Sequence, residues 1–325
     1  MRRSRDSRVS RAAQAAVALL LSFLAMGGTA WAQREPAGAP QGEGPPTAAT
    51  VIMPHIVDSK AFEYPCLHSW REWACEVELP TWNVTIGGRT LDVGPTKHVI
   101  WMAIAATLML ILLITAARGH TRSTDEVGRP RGAPAGIEAV VLFLRNEIYM
   151  PVLGGHGGER YIPFVFSLFF FVLAGNAIGV VPYASTPTGN IGTTATLAIV
   201  TFIMIELAGM RSLGAGYVKT IVYWPHDMAL GLKAGLTLLM TPIELVSKFT
   251  KPFALTVRLF ANMLAGHVII LSLILMTMTL AWLTPIWMGM AVGIALIEVL
   301  VIVIQAFIFS LLAAVFIGQI RAAHH

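Results

Sequence analysis

The sequence predicts an all-α polytopic membrane protein, and three observations carry that prediction. Of its 325 residues, 55% are hydrophobic and 13% are charged, whereas soluble chains carry about 25% charged residues. The mean hydropathy is +0.68. The apolar residues gather into five blocks long enough to cross a bilayer core, which takes about 20 residues as a helix. This composition excludes a water-soluble enzyme and a disordered chain. The expected architecture is five membrane-embedded helices plus one amphipathic surface helix, with the last two helices long, tilted and antiparallel.

Residues 1–32 read as a signal peptide. MRRSRDSRVSR is basic, AAQAAVALLLSFLAMGG is a short apolar run, and Ala30-Trp31-Ala32 places a cut after Ala32. An uncleaved anchor is the alternative. The five arginines and one aspartate of this stretch contribute +4 of the formal net charge of +5. The basic pI of about 9.4 therefore describes an export signal, and no nucleic-acid partner is expected. Residues 33–96 read as a periplasmic linker and a small extramembrane segment. Its Pro/Gly/Ala-rich start is a flexible tether. Asn83–Gly88 and Arg89–Val93 suit a small hairpin around Gly87-Gly88. Cys66 and Cys75 lie here, and an oxidising compartment favours a local disulfide; two free thiols in a loop are the alternative.

Residues 97–325 form the expected membrane domain, with spans at Val99–Ala116, Tyr161–Val181, Ile191–Met210, Ala234–Met278 and Pro285–Ile320. The last two exceed the bilayer, so they either break or tilt, and Pro242 and Pro252 offer break points in the fourth. Between the first two spans, Gly136–Gly154 repeats apolar residues at helical spacing around Glu138, Arg145 and Glu147, as a surface helix does; an ordinary loop helix has the same pattern. The loops Ala117–Arg160 and Arg211–Lys233 hold the basic residues, and the connections Pro182–Asn190 and Thr279–Thr284 hold none. The basic loops and the C-terminus with Arg321 therefore face the cytoplasm, and the N-terminal segment faces the opposite side. Signal peptide and loop charge agree on this topology, which suits a multi-pass protein of the inner membrane.

The charges inside the spans carry the functional signal. Such groups face protein or water and mark ion pathways. At 100° per residue from Arg258, Lys251 falls near 20°, Glu244 and Asn262 near 40° and Lys248 near 80°, one polar stripe about 27 Å long. His267 falls near 180°, on the other side. On the fifth span Glu298 and Gln305 share a face. Antiparallel pairing keeps the sum of facing residue numbers constant. Arg258 with Gln305 gives 563 and His267 with Glu298 gives 565, so one register serves both pairs. Because Arg258 and His267 face differently, the helices must cross or curve. The alternative is a plain span with Lys248, Lys251 and Arg258 as its snorkelling basic flank. Mid-span Glu298 argues against it.

The stretch PIELVSKFTKPFALTVRLFANMLAGH resembles the signature of subunit a of the F-type ATP synthases, in its bacterial form. ALIEVLVIVIQAFIFSLLAAVF resembles that family's last helix, and GERYIPFVFSLFFFVLAGNAIGVVP followed by TPTGNI resembles two earlier ones. The likeness covers roughly Pro95 to Ile320. It implies that Arg258 is the essential arginine separating two half-channels. It also implies that Asn176, Asn262, His267, Glu298, Gln305, Glu244 and Lys251 line the proton path. His267 and Glu298 stand exchanged relative to many bacterial relatives, which preserves one acid and one base. The acid that some relatives carry near Gly179 is absent, as is a serine common near Ala254.

By the same resemblance, protons enter near Asn176, Asn262, His267 and Glu298 and neutralise a carboxylate on a c-subunit ring. They leave near Glu244 and Lys251. The guanidinium of Arg258 stays charged when desolvated and blocks leakage. The implied partners are the c-subunit ring, the b subunits of the peripheral stalk, the remaining ATP synthase subunits and the lipid bilayer. No cofactor is expected, no metal site because further ligands at ligand spacing are not evident around Cys66 and Cys75, and no nucleotide site because GGHGG at 154–158 is not followed by Gly-Lys-Ser/Thr. The chain is then no enzyme by itself. A sodium-translocating version and a self-contained secondary transporter are the alternatives; the latter would usually carry internal repeats.

Overall fold

The structure is a computed structural model, and it describes residues 57–64, 75–86, 89–92, 94–122, 132–154, 157–181, 184–220, 222 and 230–322. The expected signal peptide, Cys66 and therefore the Cys66–Cys75 bridge lie outside the described residues.

Before the first span come two antiparallel hairpins. Strand β1 (Ala61–Tyr64) pairs with β2 (Cys75–Glu78), and β3 (Asn83–Ile86) pairs with β4 (Arg89–Asp92). The second is the hairpin expected around Gly87-Gly88, in the register Asn83↔Asp92 to Ile86↔Arg89. The first was not expected. Ten residues separate its strands, too many for a two-residue turn signal.

The remaining elements are helical. Helix α1 is Lys97–Arg122. Helix α2 (Ala133–Phe143) runs on through a π-helical stretch, Leu144–Tyr149, into α3 (Met150–Leu153). Then come α4 (Ile162–Ile178), α5 (Ile191–Leu213), α6 (Leu230–Thr279) and α7 (Thr284–Ala322). Five helical segments are long and apolar enough to cross a membrane. The expected surface helix is α2 with its continuation. The π-helical stretch ends on Tyr149, which is fully buried and donates to Ser310 Oγ at 2.7 Å. Burial pushes that hydroxyl up to about 12, so it stays a neutral donor.

Helices α4 and α7 form the centre of the core. Phe164, Val165, Leu168 and Val172 of α4 are buried with Ala306, Phe309, Ala313 and Ala314 of α7. The alanines let the two backbones approach closely, as small residues do between membrane helices. Pro242 and Pro252 do not break α6, which runs through both for 50 residues. At 1.5 Å per residue it extends about 75 Å, so tilt rather than breakage fits it to a hydrocarbon core of about 30 Å. The short turn Ala281–Leu283 brings α7 back antiparallel to α6.

Candidate functional site

The register inferred from residue numbers is the one observed. His267 Nδ1 lies 3.2 Å from Glu298 Oε1, and Gln305 Nε2 donates to the backbone carbonyl of Arg258 at 3.1 Å. The second contact resolves the difficulty of facing directions. Gln305 reaches the Arg258 main chain, not its guanidinium, so both levels are met while Arg258 points elsewhere. A helical carbonyl has a second lone pair for such a bond.

The polar groups divide into two clusters. The first is centred on His267. Its Nε2 lies 3.0 Å from Thr186 Oγ1, so the ring bridges a hydroxyl and a carboxylate. Glu298 is 6% exposed. Such a ring takes a proton at one nitrogen and releases one at the other. Thr186 adjoins a short 3₁₀ turn, Pro187–Gly189, that connects α4 and α5. Thr188 on the same turn donates to Asn176 Oδ1 at 2.6 Å, and Asn176 is fully buried in α4. Asn190 ends the turn and caps α5, its Oδ1 accepting from the Gly192 amide at 2.7 Å.

Two glycines make this cluster possible. A Cβ at Gly266 would stand 2.9 Å from Glu298 Oε1, so glycine lets the carboxylate reach His267. A Cβ at Gly179 would collide with Thr186 Oγ1 and lie 2.9 Å from the Thr186 Cβ. This gives the absent acid near Gly179 a physical reason, because the Thr186 side chain fills that space.

The second cluster lies toward the other end of α6. A cavity of about 350 Å³ is lined by Glu206, Thr220, Glu244, Lys248, Lys251 and Gln319, among others. Lys248 Nζ bonds Glu206 Oε2 at 3.4 Å, Tyr217 Oη at 3.0 Å and Thr220 Oγ1 at 3.3 Å. It also sits 4.5 Å from the centre of the Tyr217 ring. Lys251 lies 4.8 Å from the Phe316 ring centre. The expected stripe thus splits. Lys248 is buried and satisfied, while Glu244, Arg258 and Asn262 are exposed. Around them the helix face is apolar, with Phe253 and Val257 also exposed. The basic ends gather at one end of the bundle, where Arg160 and Arg321 both lie over the Tyr161 ring.

Sequence reasoning missed Thr186, Thr188, Glu206, Tyr217 and the pair Asp58–His98. In that pair His98 Nδ1 is 2.8 Å from Asp58 Oδ1, and His98 Nε2 is 3.2 Å from Ser185 Oγ. The only advance sign was TPTGNI, whose threonines proved to be the ligands of the first cluster.

The chain matches the family model described as ATP synthase A chain over residues 99–318. It is 38% identical over 268 residues to a protein of Chloroherpeton thalassium named ATP synthase subunit a, covering 82% of this chain and 74% of that one. An Anaeromyxobacter dehalogenans protein of the same name is 38% identical over 284 residues, covering 85% and 71%. A Prosthecochloris aestuarii protein named ATP synthase subunit a 2 is 37% identical over 318 residues, covering 94% and 92%.

Proposed function

Because the chain belongs to the ATP synthase A chain family, we propose that it is the proton-translocating stator subunit of an F-type membrane sector. It is a component of the ATP synthase complex, not its catalytic subunit. Its partners are the c-subunit ring, the b subunits and the remaining subunits, in a bacterial inner membrane. Residues 1–32 direct export, residues 33–96 lie outside, and residues 97–325 form the membrane domain with a cytoplasmic C-terminus.

The observation that carries this reading is the contrast along α6. His267, held between Thr186 and Glu298, is a proton relay. Arg258 lies nine residues earlier, exposed on an apolar face. Protons reach Glu298 through the inlet cluster with Asn176, and pass near Asn262 and Gln305 to a ring carboxylate. That carboxylate, once neutral, turns into lipid. After the ring advances, protons leave by the cavity lined by Glu244 and Lys251. Arg258 draws each carboxylate into its ionised form and separates the two paths. An imidazole bridging a hydroxyl and a carboxylate favours protons over sodium, which prefers oxygen ligands.

Arg258→Ala tests this. In vesicles carrying the whole complex, proton-driven ATP synthesis is expected to vanish. Arg258→Lys is expected to fail as well, because an ammonium can lose its proton where guanidinium does not. Normal synthesis by Arg258→Ala would overturn the assignment.

A further inference from the structure

We propose that the segment preceding the first span supplies the outermost station of the proton inlet: Asp58 and His98 collect protons and pass them toward His267. The inference rests on the proposed function. Both residues lie before residue 99, where the family match begins.

The geometry is two runs of hydrogen-bonded side chains, Asp58–His98–Ser185 and Thr186–His267–Glu298, that end on consecutive residues. Asp58 stands at the outer end, 17% exposed at its side chain, and His98 behind it is 3% exposed. Asp58 is held two more ways. The amide of His98 donates to Oδ1 at 3.4 Å, and Asn190 Nδ2 donates to Oδ2 at 3.4 Å. The Lys97 amide bonds the Ser59 carbonyl at 3.1 Å, pinning this stretch to the start of α1. Beyond His98 comes Ser185, buried, at 3.2 Å. Ser185 and Thr186 are consecutive residues, so the two runs end on neighbouring side chains, and the proposal places one water between their hydroxyls. Thr186 then meets His267, and His267 meets Glu298.

The chemistry moves protons only. Asp58 takes a proton from outer water and gives it to His98 Nδ1. His98 releases its Nε2 proton to Ser185, whose own hydroxyl proton passes by water to Thr186 and on to His267 Nε2. His267 yields its Nδ1 proton to Glu298. The titratable group facing Asp58 is His98; Thr96 and Asn190 are neutral, and Lys97 is the adjacent cation in sequence. Burial pushes the Asp58 carboxyl up, but the hydrogen bonds and charge of His98 outweigh it and hold it below its ordinary value. The carboxylate is therefore ionised and ready to accept at neutral pH.

The test uses the whole complex in vesicles. ATP synthesis is driven while pH is varied on the face that carries the N-terminal segment. Asp58→Asn keeps the shape and hydrogen bonding but cannot ionise. Its half-maximal rate is expected to require more acid by about one pH unit, a tenfold change in proton concentration, with Asp58→Glu returning toward the wild-type profile. His98→Gln carries the same expectation should Asp58→Asn fail to assemble. A profile identical to wild type overturns the proposal. So does a loss that is uniform across pH, since that marks a merely structural contact. Arg258→Ala measured alongside separates the two claims. If it synthesises normally, the proposed function fails; if it is dead while Asp58→Asn matches wild type, only this inference fails.

Discussion

Two sites on α6 solve the problem of a polar group in an apolar surrounding in opposite ways. His267 has both ring nitrogens engaged, by Thr186 and Glu298, within the chain itself. Arg258 is exposed, and its guanidinium makes no ion pair with any described residue. A charge at mid-bilayer costs about 2.5–3.5 kcal/mol on insertion scales, so an unpaired arginine there has to meet protein or water. The difference teaches where each partner comes from. The His267 site is complete in this chain. The Arg258 guanidinium has no anion among the described residues, and under the proposed function a carboxylate of a neighbouring subunit is what would meet it.

This comparison can be attacked at several points. The largest effect is expected at Glu298. Glu298→Gln preserves shape but removes the titrating group, and proton-driven synthesis should fall about 100-fold, in the range of a lost general acid–base group. A rate near wild type would make the pair structural. Next comes Lys248→Met in the second cluster. It leaves Glu206 without its cation, and stability should fall by about 2 kcal/mol, read as a lower thermal denaturation midpoint of the complex. An unchanged midpoint would show that solvent already satisfies Glu206. The smallest effect belongs to Thr186→Val, which removes one hydroxyl from His267. About 1.4 kcal/mol, or tenfold in rate, is expected. Gly179→Ala should match it, because the new Cβ displaces the same threonine. If Gly179→Ala is silent, Thr186 is not held where the structure places it.

Much of the fold was legible because membrane helices announce themselves by hydropathy, and because antiparallel neighbours obey a constant residue-number sum. The pairing of His267 with Glu298 and the level of Gln305 followed from those two rules alone. The hairpin at Gly87-Gly88 followed from turn chemistry. The failures also have physical causes. Pro242 and Pro252 left breakage and tilt both open, and α6 takes the tilted course expected of it, passing through both prolines as membrane helices do when neighbouring groups re-satisfy freed backbone positions. The polar stripe assumed that angle alone decides partnership. Lys248 has a long stem, and it turns inward to Glu206, Tyr217 and Thr220. Thr186 and Thr188 lie at a turn, where no periodicity marks a functional side chain. Asp58 and His98 are 40 residues apart, and nothing in either local sequence points to the other.

The central claim is that His267 and Glu298 act as an acid–base pair whose order along the two helices is secondary. Exchanging them tests this most directly. His267→Glu alone and Glu298→His alone should each abolish most proton-driven synthesis. The double variant, which restores one acid and one base in the same register, should recover a substantial part of it in reconstituted vesicles. A double variant that assembles fully, yet is as inactive as either single one, would contradict the account.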